Sequence, residues 1–209
     1  MFMHPFTALV GGCTKSGKTE FTKRFVACAD HLMSPPPEEI IWCYSEYQPG
    51  YEVLMNNPKV KLVEGLPCLQ ELKASASVPK LLVLDDLLME GNSKNSAVTQ
   101  LFIKGAHHYN VSCIHIVQNI FYGSLRTARI NSHYLVLMRN PSDKLQVMQL
   151  ARQLFPGQTA CLLEAYKDAT CDNYGYLLVD VSPEIPEKLR LRTKIFPDEY
   201  QVVYVPRGL

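Results

Sequence analysis

The residues with the clearest chemical potential come almost at once. Gly12, Gly17, Lys18 and Thr19, within "LVGGCTKSGKTEFTKRF", satisfy the pattern G-x-x-x-x-G-K-[ST]. The backbone N–H groups of Gly12, Cys13, Thr14, Lys15, Ser16, Gly17, Lys18 and Thr19 would form a concave anion site at the mouth of a helix. The two glycines let the main chain approach phosphates, and Lys18 is placed to reach the β and γ groups. The Thr19 hydroxyl can serve Mg2+. A chance match would lack flanking elements, whereas here an apolar strand precedes the loop and a helical stripe follows it. Binding of a nucleotide's phosphates is the expectation. Cys13 lies inside the loop beside a helix start, so bound nucleotide should shield it from alkylation.

Hydrolysis also needs a carboxylate at a strand end to help hold the metal. "LLVLDD" supplies Asp85 as the outer-sphere metal partner and Asp86 to orient or deprotonate an attacking water. Alone, two acids after an apolar run read as a solvated strand end; beside a phosphate loop the catalytic reading is preferred. Glu90 is a weaker candidate base. Gln118 ends the apolar run "HIVQ", at the edge where ligands of open α/β sheets bind. Its amide either holds the water and senses the γ-phosphate or caps the next turn; the residue type leaves both open. His107 and His108 are neighbours, which diverge on a helix, so a solvent-facing pair is expected rather than a metal site.

These groups need a scaffold. Apolar runs place strands at 6–12, 39–46, 60–65, 79–86, 111–119, 134–139 and 174–181. Phe21, Phe25, Cys28, Ala29 and Leu32 make one helical stripe, ended by the prolines of "SPPPEE". Further helices are expected at 69–75, 96–109, 142–155 and 159–168. In the third of these, Leu145, Met148, Ala151, Leu154 and Phe155 share a face, with Ser142 or Asp143 as cap. Alternating strands and helices predict one α/β P-loop domain over 1–209, a mainly parallel sheet with helices on both faces. Its core spans about 5–182 and an extended segment follows over about 183–209. There Arg190, Arg192 and Lys194 alternate with Leu189, Leu191 and Thr193; a solvated edge strand is preferred over a phosphate-contacting face.

Composition narrows the classes. With 209 residues, 47% hydrophobic, 20% charged and a net charge of +1, the chain suits a soluble globular domain and not a generally basic nucleic-acid coat. Its seven cysteines include no C-x-x-C pair, so reduced core thiols are expected apart from Cys13. No charged leader precedes the first apolar run, and no run is long enough to cross a bilayer. A soluble, intracellular protein with no membrane partner is the expectation.

In order, "GGCTKSGKT", "LLVLDD", "IVQN" and "YLVLMRNPSDKLQVMQLARQLFPG" resemble the genome-packaging ATPases of the FtsK–HerA superfamily. Within that superfamily the likeness is to the poxvirus-type enzymes, closest to those of Polinton/Maverick elements and adintoviruses. It extends over most of the chain, through "AYKDAT", "YGYLLVD" and "RLRTKIFP". The resemblance implies a RecA-like (ASCE) core with an extra strand between those carrying the phosphate loop and the acids. It implies ATP and Mg2+ as cofactors, and a homo-oligomeric ring, pentamer or hexamer, driving double-stranded DNA into a preformed capsid. Partners would include capsid or portal-vertex proteins, at the host nucleus or a viral assembly site. Gln118 falls at the family's glutamine position. The arginine supplied to a neighbour's site lies within "GSLRTARINSHY": Arg126 matches the Maverick-like pattern and is preferred, while Arg129 sits where other viral relatives carry theirs. The chain departs from the family in having Asp86 where many members have glutamate, in the extra charge of Lys15, and in a first strand within ten residues, which leaves no accessory domain ahead of it.

The competing class is a nucleoside or nucleotide kinase, or another P-loop ATPase not acting on DNA. No compact arginine-rich lid is present, though Arg126 and Arg129 could mimic one. A GTPase switch is disfavoured, since neither N-K-x-D nor a D-x-x-G after the acidic strand occurs.

Overall fold

The computed structural model describes residues 1–68, 70, 72, 77–87, 100, 102, 109–121, 125–142 and 144–206. Runs such as "KLLVLD" form strands because both of their faces are covered. In Lys80–Asp85, Leu81 and Val83 enter one core while Leu82 and Leu84 enter the other. The same holds for Thr7–Gly11, Val111–Val117 and Tyr134–Met138, buried at every position.

The strands are β1 (Phe2–Met3), β2 (Thr7–Gly11), β3 (Met33–Ser34), β4 (Glu39–Tyr44), β5 (Val60–Glu64), β6 (Lys80–Asp85), β7 (Val111–Val117), β8 (Tyr134–Met138), β9 (Tyr176–Asp180), β10 (Leu191–Thr193) and β11 (Val202–Tyr204). β1 and β3 pair with each other, and the rest form one nine-stranded sheet in the order β5-β4-β6-β7-β2-β8-β9-β10-β11. Pairing is parallel from β5 to β8 and antiparallel beyond. β7 therefore lies between the strand entering the phosphate loop and the strand carrying the acids, as the resemblance implies.

Helices α1 (Lys18–Ala27) and α2 (Ala29–Leu32) follow the loop, and the chain turns between them at Cys28. Phe21, Phe25, Ala29 and Leu32 are buried as the stripe predicts. After β7 come α3 (Arg126–Ile130), α4 (Lys144–Leu154) and α5 (Thr159–Ala169). α1 packs with Val10 and Val83 on one side of the sheet, while α4 and α5 pack with Leu9 and Leu84 on the other. The helices expected at 69–75 and 96–109 fall largely outside the described residues, as does Asp143; Ser142 donates to the Asn140 side chain.

Three expectations are corrected. On α4 the buried residues are Val147, Leu150 and Ala151, whereas Leu145 is 65% exposed. The helix is apolar at so many positions that two overlapping faces fit, and contact with the sheet selects the one through Val147. The cation-rich C-terminal strand is not an edge: β10 is paired on both sides, and β11 is the edge. Arg192 forms an ion pair with buried Asp180 of β9, and Arg190 pairs with Glu187 while donating to the carbonyls of Asp180 and Ser182. A buried carboxylate needs such a countercharge. Finally, of the seven free cysteines only Cys43 and Cys113 are buried, and Cys68 and Cys171 are exposed. Among the described residues, no helix is long and apolar enough to cross a membrane.

Candidate nucleotide site

Strand register brings the candidate residues to one edge. Gly11 of β2 pairs with Val117 and Leu137, and Asp85 of β6 pairs with Ile116, so β2, β6, β7 and β8 end together. The phosphate loop, Gln118 and Asp86 follow those ends, and Asp85 is the last residue of β6. Gly12 is required by space: a Cβ there would stand 2.6 Å from the Met138 Cβ and 2.7 Å from the Ser16 Oγ. Gly17 caps α1 at φ +99°, and a Cβ on it would meet the Tyr174 ring at 2.4 Å.

Within the loop, Thr14 and Lys15 are exposed, Lys15 at a left-handed φ of 63°, and the Cys13 Sγ donates to the Arg139 carbonyl. The buried Ser16 hydroxyl has no hydrogen-bond partner among the described residues. Such an orphan in a phosphate loop fits an oxyanion acceptor. Lys18 folds back onto its own loop, its Nζ donating to the carbonyls of Gly12 (2.8 Å) and Cys13 (2.9 Å). Burial lowers its pKa, opposed by Cys13, Asp86 and Asp85.

Asp85 is 4% exposed. The Tyr51 hydroxyl donates to its Oδ2 at 2.9 Å. Burial raises its pKa above the usual carboxylate range, offset in part by Tyr51, Lys18 and Thr19. Thr19 offers a hydroxyl and Asp85 a carboxylate, oxygen groups of the kind that take a hard Mg2+ ion directly or through its water. The residues fit that ion. Asp86 is exposed at φ +51°, in the left-handed region, which Asp enters more readily than most side chains. Gln118 and Gly12 together line a cavity of about 20 Å3, with Asn140 and Tyr166, space for a single water.

The two arginines differ. Arg126 is exposed at the start of α3, whereas Arg129 donates to the Ile120 carbonyl at 3.3 Å and covers the Phe121 ring at 4.4 Å. Burial, then the Arg126 charge, lowers the Arg129 pKa. Glu90, His107 and His108 lie outside the described residues.

Sequence reasoning missed Tyr51. It sits on a 3-10 helix (Pro49–Asn56) and packs against Trp42, Tyr44 and Tyr47 with ring centroids 5.6 to 5.9 Å apart. The aromatic density of "YQPGYE" was the available signal. Nothing in it pointed to a carboxylate 34 positions away.

Solved structures share this architecture. The chain superposes on the genome-packaging NTPase B204 of Sulfolobus turreted icosahedral virus 2 bound to ATP-γ-S, with TM-score 0.58, 12% identity, and 96% of this chain and 97% of that chain covered. With the AMPPCP complex the values are 0.56, 13%, 97% and 98%. With the DNA-packaging ATPase B204 of Sulfolobus turreted icosahedral virus they are 0.59, 12%, 98% and 99%. The fold is shared with a viral genome-packaging NTPase. No protein-family model and no curated protein sequence matches the chain.

Proposed function

We propose that this chain is a Mg2+-dependent ATPase that drives double-stranded DNA into a viral capsid, a RecA-like motor of the FtsK–HerA kind. The observation that carries the reading is that the loop bearing Lys18 and Thr19 leaves β2 at the same edge of the sheet where Asp85 ends β6, with β7 between the two strands. Near end-to-end likeness to B204 supports the same class. The likeness to Polinton and adintovirus enzymes rests on the sequence motifs.

In this reading the loop amides and the Ser16 hydroxyl grip the phosphates, and Lys18 leaves its two carbonyls for the β- and γ-oxygens. Thr19 and Asp85 would hold Mg2+, which when bound neutralises charge on those oxygens. Asp86 orients a water and takes its proton, and Gln118 holds that water against the γ-phosphate. Water adds to the γ-phosphorus as the bond to the bridging oxygen breaks, leaving ADP and inorganic phosphate. Arg126, being exposed, is available to a neighbouring subunit in a ring, where it would stabilise the transition state.

The test is ATP turnover with and without added double-stranded DNA, together with particle size by light scattering. Ring-sized particles and DNA-stimulated turnover are expected. Absence of turnover with saturating Mg·ATP overturns the ATPase reading, and phosphorylation of an added nucleoside points to a kinase instead. Arg126→Ala should be inactive alone and partly rescued in mixed rings with Asp86→Asn; absence of rescue where mixed rings form counts against action in trans.

A further inference from the structure

The turn that carries the acids is also held from within the core. His115, in β7, is 2% exposed and pairs in register with Leu9 of β2 and Leu84 of β6. Its Nε2 lies 3.2 Å from the carbonyl oxygen of Leu87. A carbonyl only accepts, so Nε2 carries the proton and Nδ1 presents a bare lone pair. Nδ1 has no hydrogen-bond partner among the described residues. Burial lowers the pKa of the ring to about 4, so it is neutral at neutral pH.

An aliphatic side chain would fill this place without leaving a nitrogen unsatisfied. What the imidazole gains is a link that the backbone cannot make. The β6–β7 ladder ends at the pair Asp85 and Ile116, so Asp86, Leu87 and Gln118 all lie past its last rung. Asp86 there adopts a left-handed conformation, uncommon outside glycine though one that Asp tolerates. Tyr51 holds the carboxylate just before it, and His115 holds the carbonyl just after it.

We propose that His115 is a positioning residue that ties the turn bearing Asp86 to the strand that leads into Gln118, so that base and amide keep one spacing across the site. The proposal rests on the nucleotide-site reading above. It deepens that reading by naming the core contact through which the two sides of the reacting water are kept in step.

The test compares His115→Leu with His115→Gln, whose amide N–H can reach the same carbonyl. His115→Leu should lower the amide order parameters of Asp86 and Leu87 from about 0.85 to below about 0.6. It should cut kcat about tenfold, as misplacement of a catalytic group does. ATP affinity should stay within about twofold, and Tm within about 4 °C, because one unsatisfied group replaces another. His115→Gln should recover most of both the order and the rate. Unchanged order parameters in His115→Leu overturn the proposal, as does equal loss of rate and Tm in both variants, which marks packing alone. A wild-type chain without ATP turnover overturns the nucleotide reading instead, and the order parameters still decide whether the tie exists.

Discussion

Around the C-terminal strands, cations meet carboxylates. Arg24 bonds to Asp198 and Glu199, Arg190 to Glu187, and Arg192 to Asp180. At the parallel end of the sheet, Lys18 rests on two neutral carbonyls, and Arg126 points outward. Under the proposed function, the difference separates charges that hold the fold from charges kept for an anionic ligand. Arg192 has its counterion built in, whereas Lys18 is depressed by burial and would regain its charge stabilisation when phosphates arrive. A row of cations in the sequence is therefore no guide to a binding face until their partners are known.

The comparison can be broken most sharply at Lys18. Lys18→Ala should cost ATP turnover about a thousandfold or more while lowering the denaturant midpoint less than Arg192→Met does, since it removes two bonds to loop carbonyls but strands no buried charge. Normal hydrolysis would end the assignment. Next, Asp86→Asn should still bind a fluorescent ATP analogue but hydrolyse ATP about a hundredfold more slowly, the scale of a lost general base. Unaltered turnover would move that role elsewhere.

On the other side, Arg192→Met should destabilise the fold by about 3 kcal/mol in urea titration, because it strands buried Asp180. Turnover per folded molecule should be unchanged, and an equal loss of activity would erase the contrast. The smallest effect has the opposite sign. Asp85 is raised by burial above its ordinary 3.8, so its ionised form costs stability in the metal-free protein. The stability tied to this group is full below pH 3.8 and lost as pH rises through the folded value. Asp85→Asn should therefore raise Tm at pH 7, with the gain vanishing below pH 3.8. A drop at pH 7 would mean that the Tyr51 bond outweighs burial.

The turn between β2 and α1 was legible because its residues are contiguous and its glycines have local duties, the close approach at Gly12 and the left-handed cap at Gly17. The central strands were legible because burial on both faces leaves runs such as "LLVL" unbroken. What sequence could not disclose depends on distant partners. Tyr51 reaches Asp85 from another element, and Asp180 claims Arg192 from the neighbouring strand. The face of α4 escaped for a different reason: Leu145, Val147, Met148 and Leu150 are all apolar, so periodicity alone could not say which of them meets the sheet. His115 stood within a recognised strand, and only its contact with Leu87 distinguishes it from a packing residue.

The chain has a single tryptophan, Trp42, fully buried and 5.6 Å from the ring of Tyr51, whose hydroxyl touches Asp85. The protein thus carries its own optical reporter one ring away from the Asp85 carboxylate. Excitation near the indole band should give blue-shifted emission, and loading of the site should alter its intensity through the phenol without any attached dye.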